Sequence, residues 1–127
     1  MELKPDLIRD MLLYAESLSL GETAFPNDIN ESELRNKYTE DEIIYAISRL
    51  GEKDGNLLKG SVQYASNKPY MWYIGSPTFS GHQYLENIRD PKIWKLVKEK
   101  ASVVGSVSLP ILAELASSMI KAKLGLI

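Results

Sequence analysis

The sequence contains no cysteine. Disulfides, thiolate metal sites and a thiol nucleophile are therefore excluded, and so is a secreted fold held together by disulfide bonds. Histidine is nearly absent too, since His82 is the single one. No Ser, His and Asp signature, glycine-rich phosphate loop or metal-ligand spacing accompanies it, so we interpret His82 as a surface or capping residue of a helix. We expect no enzymatic activity, no cofactor and no bound metal.

The sequence also lacks a long uninterrupted apolar run. Its most apolar stretch, residues 109–127, contains Glu114, Lys121 and Lys123, and such charges are costly at the centre of a bilayer. Residues 1–6 are charged and lead straight into an amphipathic pattern, whereas a signal peptide has a basic region followed by an apolar one. We expect a cytoplasmic protein without a membrane span.

An excess of positive charge is missing as well, because the formal net charge is -2. Residues 1–88 carry eight Lys and Arg against 14 Asp and Glu, whereas residues 89–127 carry seven against three. A duplex-binding protein usually has a concentrated positive surface, since phosphate neutralisation supplies most of its non-specific affinity. The acidic composition of residues 1–88 does not indicate such a surface. The length of 127 residues fits one core with an appendage.

Helical patterns dominate the first 50 residues. Pro5 and the apolar residues after it, spaced by three and four, predict a first helix over residues 5–18. Residues 19–30 predict a loop with a short extended piece around Ala24 and Phe25. Capping patterns at Asn30 with Glu33 and at Thr39 with Glu42 predict the starts of two short helices. These helices are expected over residues 31–37 and 40–50.

A β-hairpin is predicted next, because apolar and polar residues alternate from Leu58 to Tyr64 and an aromatic run follows over residues 70–74. The turn between the strands is expected at residues 66–69. Together these elements predict an α+β fold, a winged helix-turn-helix of three helices and a β-hairpin wing with two or three strands. Residues 40–50 would be the recognition helix.

Capping residues predict three helices in the remainder of the chain. Thr78 or Ser80 is expected to begin a helix that ends at Arg89, and Gly81 allows that helix to approach the sheet closely. Asp90-Pro91 begins the next helix, residues 101–108 predict a bend, and Pro110 opens the last helix. We therefore expect a winged-helix domain over residues 1–89 and a C-terminal helical arm over residues 90–127.

Candidate DNA contacts lie on the predicted recognition helix and wing. They are Tyr45, Ser48 and Arg49 on the helix and Lys59, Gln63, Asn67 and Lys68 on the hairpin. The alternative is that they are ordinary solvated positions, and that the neighbouring aromatic residues cover the core. The acids at residues 40–42 have the wrong sign for a major groove, and they fit a helix cap and dipole instead.

The arm carries an apolar face that must be buried somewhere. Its residues are Ile111, Leu112, Leu115, Met119 and Ile120. We expect this face to form the interface of a homodimer. Such a dimer would also place two helix-turn-helix domains for binding to two DNA half-sites. Packing within the same chain, binding of another protein, and contact with a membrane surface through Lys121 and Lys123 remain alternatives.

Several stretches of the chain resemble the domain of unknown function 2513 family, which comprises small proteins of bacteria and their prophages. These stretches are residues 64–70 (YASNKPY), residues 78–90 (TFSGHQYLENIRD), Trp94-Lys95 and the helix that follows Ser108-Leu109-Pro110. The resemblance implies a winged-helix fold and a mobile-element setting, and it supplies no catalytic or ligand residues. The long segment at residues 19–30 departs from it.

Two functions are compatible with these features. The first is a DNA-binding regulatory or accessory protein of a phage or mobile element, which binds double-stranded DNA as a dimer. That interpretation depends on analogy between folds. The alternative is a protein–protein interaction module, in which the acidic recognition helix and the apolar arm engage a host or phage protein without DNA binding.

Overall fold

The computed structural model describes residues 1–104 and 109–125, in which the fold is α+β with seven helices and one two-stranded antiparallel sheet. The helices are α1 (Pro5–Ser17), α2 (Pro26–Asn30), α3 (Glu33–Lys37), α4 (Glu40–Leu50), α5 (Phe79–Ile88), α6 (Pro91–Val104) and α7 (Leu109–Lys123). The strands are β1 (Leu58–Ala65) and β2 (Lys68–Pro77). The chain divides into two compact units, Met1–His82 and Gln83–Ile127.

Helix α1 follows the predicted bounds closely. Pro5 occupies the first turn, where its missing N–H costs nothing. Of the apolar stripe predicted from the three and four spacing, Ile8, Met11, Leu12 and Ala15 are buried, and Leu7 is buried with them. The last predicted member, Leu18, lies past the end of the helix and is half-buried.

The predicted loop at residues 19–30 is wrong in its second half, because residues 26–30 form α2. Pro26 supplies the first turn, the Phe25 backbone N–H donates to Asp28 Oδ2 at 3.0 Å, and Ile29 is fully buried. The extended piece is present as a single antiparallel bridge, in which Ala24 exchanges backbone hydrogen bonds with Ile74 at 2.8 and 2.9 Å.

The predicted cap of the next helix is also wrong, because Asn30 is the last residue of α2. Helix α3 begins at Glu33, and its cap is Ser32, whose Oγ accepts from the Leu34 N–H at 3.3 Å. For α4 both the bounds and the cap are confirmed. Thr39 Oγ1 accepts from the Glu42 N–H at 3.1 Å, and Glu42 accepts from the Thr39 N–H at 3.0 Å.

The predicted hairpin is confirmed, with a shorter turn than expected. Only Ser66 and Asn67 form it, at φ of 52° and 64°, and positive φ at both central residues matches the twist of a tight hairpin. Lys68 and Pro69 already belong to β2, opposite Ala65 and Tyr64. On β1, Leu58, Gly60 and Val62 are buried while the residues between them are not.

Two glycines allow backbone segments of the first unit to touch. A β-carbon on Gly51 would lie 2.4 Å from the carbonyl oxygen of Gly60, so the end of α4 rests directly on β1. A β-carbon on Gly81 would lie 1.8 Å from the carbonyl oxygen of Leu57, just before β1. Thr78, one of two candidates for the cap of α5, fills that role, since its Oγ1 accepts from the Gly81 N–H at 3.1 Å.

In the second unit, α6 begins as predicted. Asp90 Oδ1 accepts from the Lys92 and Ile93 N–H groups at 2.8 and 3.2 Å, and these bonds lower the pKa of the carboxyl group. Helix α6 continues to Val104, so the predicted bend does not begin at residue 101, and residues 105–108 lie outside the described part of the chain. Helices α6 and α7 contact each other.

Candidate nucleic-acid interface

Helix α4 presents a small polar cluster at its C-terminal half. Ser48 Oγ donates to the Tyr45 carbonyl at 2.6 Å, Arg49 Nε donates to Ser48 Oγ at 3.4 Å, and the guanidinium lies 5.4 Å from the centre of the Tyr45 ring. Tyr45 and Ser48 are half-buried and Arg49 is exposed. These three sequence-predicted residues therefore lie together at the surface.

Arg49 also pairs with Asp54 in the turn after α4, where the Nη1 and Oδ2 atoms are 3.0 Å apart. Both side chains are 49% exposed. A pair so open to water contributes at most about 1 kcal/mol. Arg49 can therefore exchange this partner for an anionic ligand at little cost.

A groove of about 200 Å³ is lined by the C-terminal end of α4, the turn after it and β1, beside the point where α4 rests on β1. We call it the α4–β1 groove. Its lining residues are Ile47, Ser48, Arg49, Gly51, Lys53, Asp54, Gly60, Ser61, Val62 and Tyr64. One wall thus carries two cations and one carboxylate, and the other carries the aromatic ring of Tyr64.

The distal half of the hairpin, residues 63–71, is exposed along its whole length. Asn67 lies in its turn, and Lys68 is the first residue of β2. Lys59 and Gln63 are exposed, and because side chains alternate along a strand they lie on the face of β1 opposite Gly60 and Val62. The structure thus places these two predicted residues on the face away from the groove, apart from Arg49.

Each face of the hairpin carries one strongly exposed tyrosine. Tyr64 is 55% exposed and lines the α4–β1 groove. Tyr70 is 60% exposed, and its hydroxyl donates to Gln63 Oε1 at 3.2 Å, which places it on the other face. The sequence indicated that these rings alternate with polar residues, but it did not separate exposed rings from those that cover the core.

The hairpin is the part of the first unit without acidic residues. Residues 1–55 contain 13 Asp and Glu against six Lys and Arg. Residues 56–85 contain none of the acids and two lysines, Lys59 and Lys68. Dividing the charge at residue 88 hid this contrast, which was visible in the sequence. Within the first unit, an anionic ligand would therefore be repelled least at the hairpin.

The acids at the start of α4 have structural partners. Glu42 completes the cap with Thr39 and forms an ion pair with Lys4, which is the main cause that lowers the pKa of Glu42. Glu40 accepts a hydrogen bond from the Asn30 amide at 3.0 Å. Asp41 remains exposed. The capping interpretation therefore accounts for Glu42, and the helix start retains its negative charge.

Two further groups of polar residues lie elsewhere in the first unit. His82 Nδ1 lies 3.7 Å from Glu16 Oε2 at the surface. Tyr38 donates to Asp10 Oδ2 at 2.7 Å, and burial together with this bond raises the pKa of the Tyr38 hydroxyl. Across the described residues, no cluster of three or more His, Asp and Glu could hold a metal ion.

The predicted apolar face of α7 is divided between buried and exposed residues. Leu112 is 1% exposed and Ile111 is 54% exposed. The remaining three members, Leu115, Met119 and Ile120, are half-buried. The part of the chain that the structure describes contains no helix both long and apolar enough to cross a membrane.

Comparison with known proteins gives one family match. No curated protein and no solved structure matches the chain. The model of the family described as "Hypothetical protein (DUF2513)" matches residues 2–108. That range contains most of the stretches that carried the resemblance, from residues 64–70 to Trp94-Lys95. Because the match covers most of the 127 residues, the chain belongs to the DUF2513 family.

Proposed function

We propose that this protein is a cytoplasmic winged-helix module that binds DNA as a regulatory or accessory protein of a phage or mobile element. The observation that carries the proposal is the exposed, acid-free hairpin beside Arg49 at the end of α4. Exposed cations and aromatic rings on a protruding hairpin are suited to contact with a sugar-phosphate backbone.

The winged-helix interpretation is supported by the order and contacts of the elements. Helices α3 and α4 are separated only by Tyr38 and Thr39, as in a helix-turn-helix. The hairpin follows α4 and packs against it. The bridge between Ala24 and Ile74 adds one strand-like residue to the edge formed by β2.

The charges favour contact through the end of α4 and the hairpin over insertion of the start of α4. Recognition helices usually direct their N-terminal residues to base edges in the major groove. Here that end carries Glu40, Asp41 and Glu42, which phosphates would repel. The opposite end carries Arg49 and faces the acid-free hairpin.

A salt titration tests this proposal. Fluorescence anisotropy would follow a labelled DNA duplex with a single-stranded tail, between about 50 and 200 mM salt. We expect the triple variant Arg49→Gln, Lys59→Gln, Lys68→Gln to bind more weakly, and its salt slope to fall by about one for each phosphate contact removed. The matched control is Lys92→Gln, Lys95→Gln, Lys100→Gln, which removes the same charge from α6.

Absence of DNA binding by the wild-type protein at low salt would overturn the proposal. An equal loss in the hairpin variant and the α6 control would also overturn it, because the effect would then follow net charge and not position. Dimerisation through α7 also forms part of the proposal, and the variant Ile111→Asp tests it.

A second candidate is a protein–protein interaction module, which the charge of the first unit favours. The exposed Asp41 and the 13 acids of residues 1–55 suit a basic surface of a host or phage protein. The exposed Ile111 and Leu124 of the second unit would add apolar contacts. If the titration gives no DNA binding in any salt, this candidate replaces the first.

A further inference from the structure

We propose that the α4–β1 groove binds one unpaired nucleotide of a DNA strand, with its phosphate beside Arg49 and Lys53 and its base stacked on Tyr64. This inference rests on the proposed DNA binding and adds that the recognised nucleotide is unpaired. It assigns a role to a groove that no sequence motif indicated.

The helix wall of the groove suits a phosphate. Arg49 uses Nη1 for Asp54 and Nε for Ser48, and a guanidinium has five N–H donors, so donors remain for a phosphate oxygen. Lys53 is exposed on the same wall and adds a second positive charge. Arg49 and Lys53 together outnumber the single carboxylate of Asp54 in the lining.

The strand wall suits a base. Tyr64 follows Gly60 and Val62 at two-residue spacing on β1, so its ring lies on the face that lines the groove. More than half of the Tyr64 side chain is open to solvent. Gly60 carries no side chain, and a β-carbon there would clash with Leu58 and with the Tyr73 carbonyl. The wall therefore offers one exposed aromatic ring beyond Val62 and open backbone at Gly60.

The size and charge of the site favour an unpaired nucleotide over a duplex. Pockets that enclose a whole drug-sized ligand usually measure about 300–1,000 Å³, so a groove of about 200 Å³ fits part of a polymer. A base stacks on a side chain only when its own face is uncovered, as in single strands. Stacking also does not depend on net charge, and a single strand carries less charge per length than a duplex.

The experiment compares a single strand with a duplex of the same sequence by fluorescence anisotropy. We expect the wild-type protein to bind the single strand more tightly. Tyr64→Ala should weaken single-strand binding by about fivefold to 150-fold, the usual range for one stacked base. Tyr64→Phe, which keeps the ring, should retain the affinity. Tyr70→Ala removes an equally exposed tyrosine from the opposite face and should change the affinity less than about twofold.

Lys53→Gln provides a second variant that leaves the hairpin intact, and it should weaken single-strand binding while circular dichroism remains unchanged. Tighter binding of the duplex, or equal losses for Tyr64→Ala and Tyr70→Ala, would overturn the inference and leave the proposed DNA binding in place. No binding to either form would overturn both. Single-strand binding that is insensitive to Tyr64→Ala and Lys53→Gln would place the strand outside this groove.

Discussion

Asp54 is the one acid in the lining of the α4–β1 groove, where it pairs with Arg49. Its carboxylate opposes a phosphate at the same position. We expect Asp54→Asn to raise DNA affinity by a fewfold at low salt, and the gain to shrink as salt screens the charges. Glu114→Gln removes an exposed acid from α7 and should have a much smaller effect. A lower affinity for Asp54→Asn would mean that Asp54 holds Arg49 in its binding position.

Glu42 gives the structure a pH dependence of defined sign. Its pKa is held below the usual value of a glutamate carboxyl group, mainly by its hydrogen bond with Lys4. A folded-state pKa below the unfolded value contributes stability above the unfolded pKa, and this contribution is lost as pH falls through the folded value. We expect Glu42→Gln, which keeps the capping acceptor, to lower Tm at neutral pH.

The Tm difference between Glu42→Gln and wild type should shrink as pH falls through the lowered folded-state pKa of Glu42, and vanish once that carboxyl group is protonated. Thermal denaturation from neutral to acidic pH measures it. Glu31→Gln, an exposed acid at the end of α2, is the control and should show a smaller difference. A Tm difference that persists at acidic pH would assign the loss to the cap and not to the ion pair with Lys4.

At the level of single residues, the sequence predicted caps well where no second cap competed. Thr39 with Glu42 formed the expected reciprocal pair. Asn30 with Glu33 fitted the same pattern, but Pro26 began another helix that absorbed Asn30. Ser32 then took over the cap of α3. A local capping pattern predicts that a helix begins nearby. Which residue begins it depends also on tertiary packing, here on the burial of Ile29 in α2.

Among the secondary-structure elements, α5 depends on its close approach to the backbone before β1. A β-carbon on Gly81 would overlap the Leu57 carbonyl oxygen, and backbone atoms cannot move aside as a flexible side chain can. We expect Gly81→Ala to reduce the free energy of unfolding by about 1–3 kcal/mol, as overpacking usually does. Urea denaturation measures it, and the neighbouring exposed Ser80→Ala is the control. Equal stability of the two variants would contradict the close approach.

The hairpin illustrates what periodicity predicts about an element and what it omits. Alternation from Leu58 onward indicated a strand with one buried face, and the structure has it. Alternation does not indicate where the buried face ends, so the exposure of Tyr64 was not predicted. The α4–β1 groove was not predicted either. It depends on how closely α4 approaches Gly60, which Gly51 permits and which no periodicity indicates.

For the whole molecule, the proposed homodimer would have to form through the exposed residues of α7. Leu112 is buried within the chain and is not available to a second copy, whereas Ile111 is exposed. We expect Ile111→Asp to convert a dimer into a monomer in analytical ultracentrifugation without loss of helical circular dichroism. Ser118→Asp places the same charge at another exposed position of α7 and should leave the dimer intact. A mass unchanged by Ile111→Asp would exclude this interface.

The sequence predicted the α+β class and the family, because both depend on the order of elements and on particular strings such as residues 64–70. The charge contrast at residue 55 was present in the sequence, but summing the charge over residues 1–88 hid it and indicated an acidic body. The structure adds that the acid-free residues 63–71 are exposed, so one surface escapes the negative charge. The sign of a local surface depends on which residues the fold brings together, and net charge does not report it.

Residues 63–71 extend beyond the core, and no side chain among them is buried. Replacing these side chains therefore costs the fold little, since stability is lost mainly when buried groups are removed. The scaffold is kept instead by buried residues such as Leu58, Val62 and Ile74. The surface that the hairpin presents can therefore be altered over nine consecutive residues without rebuilding the core beneath it.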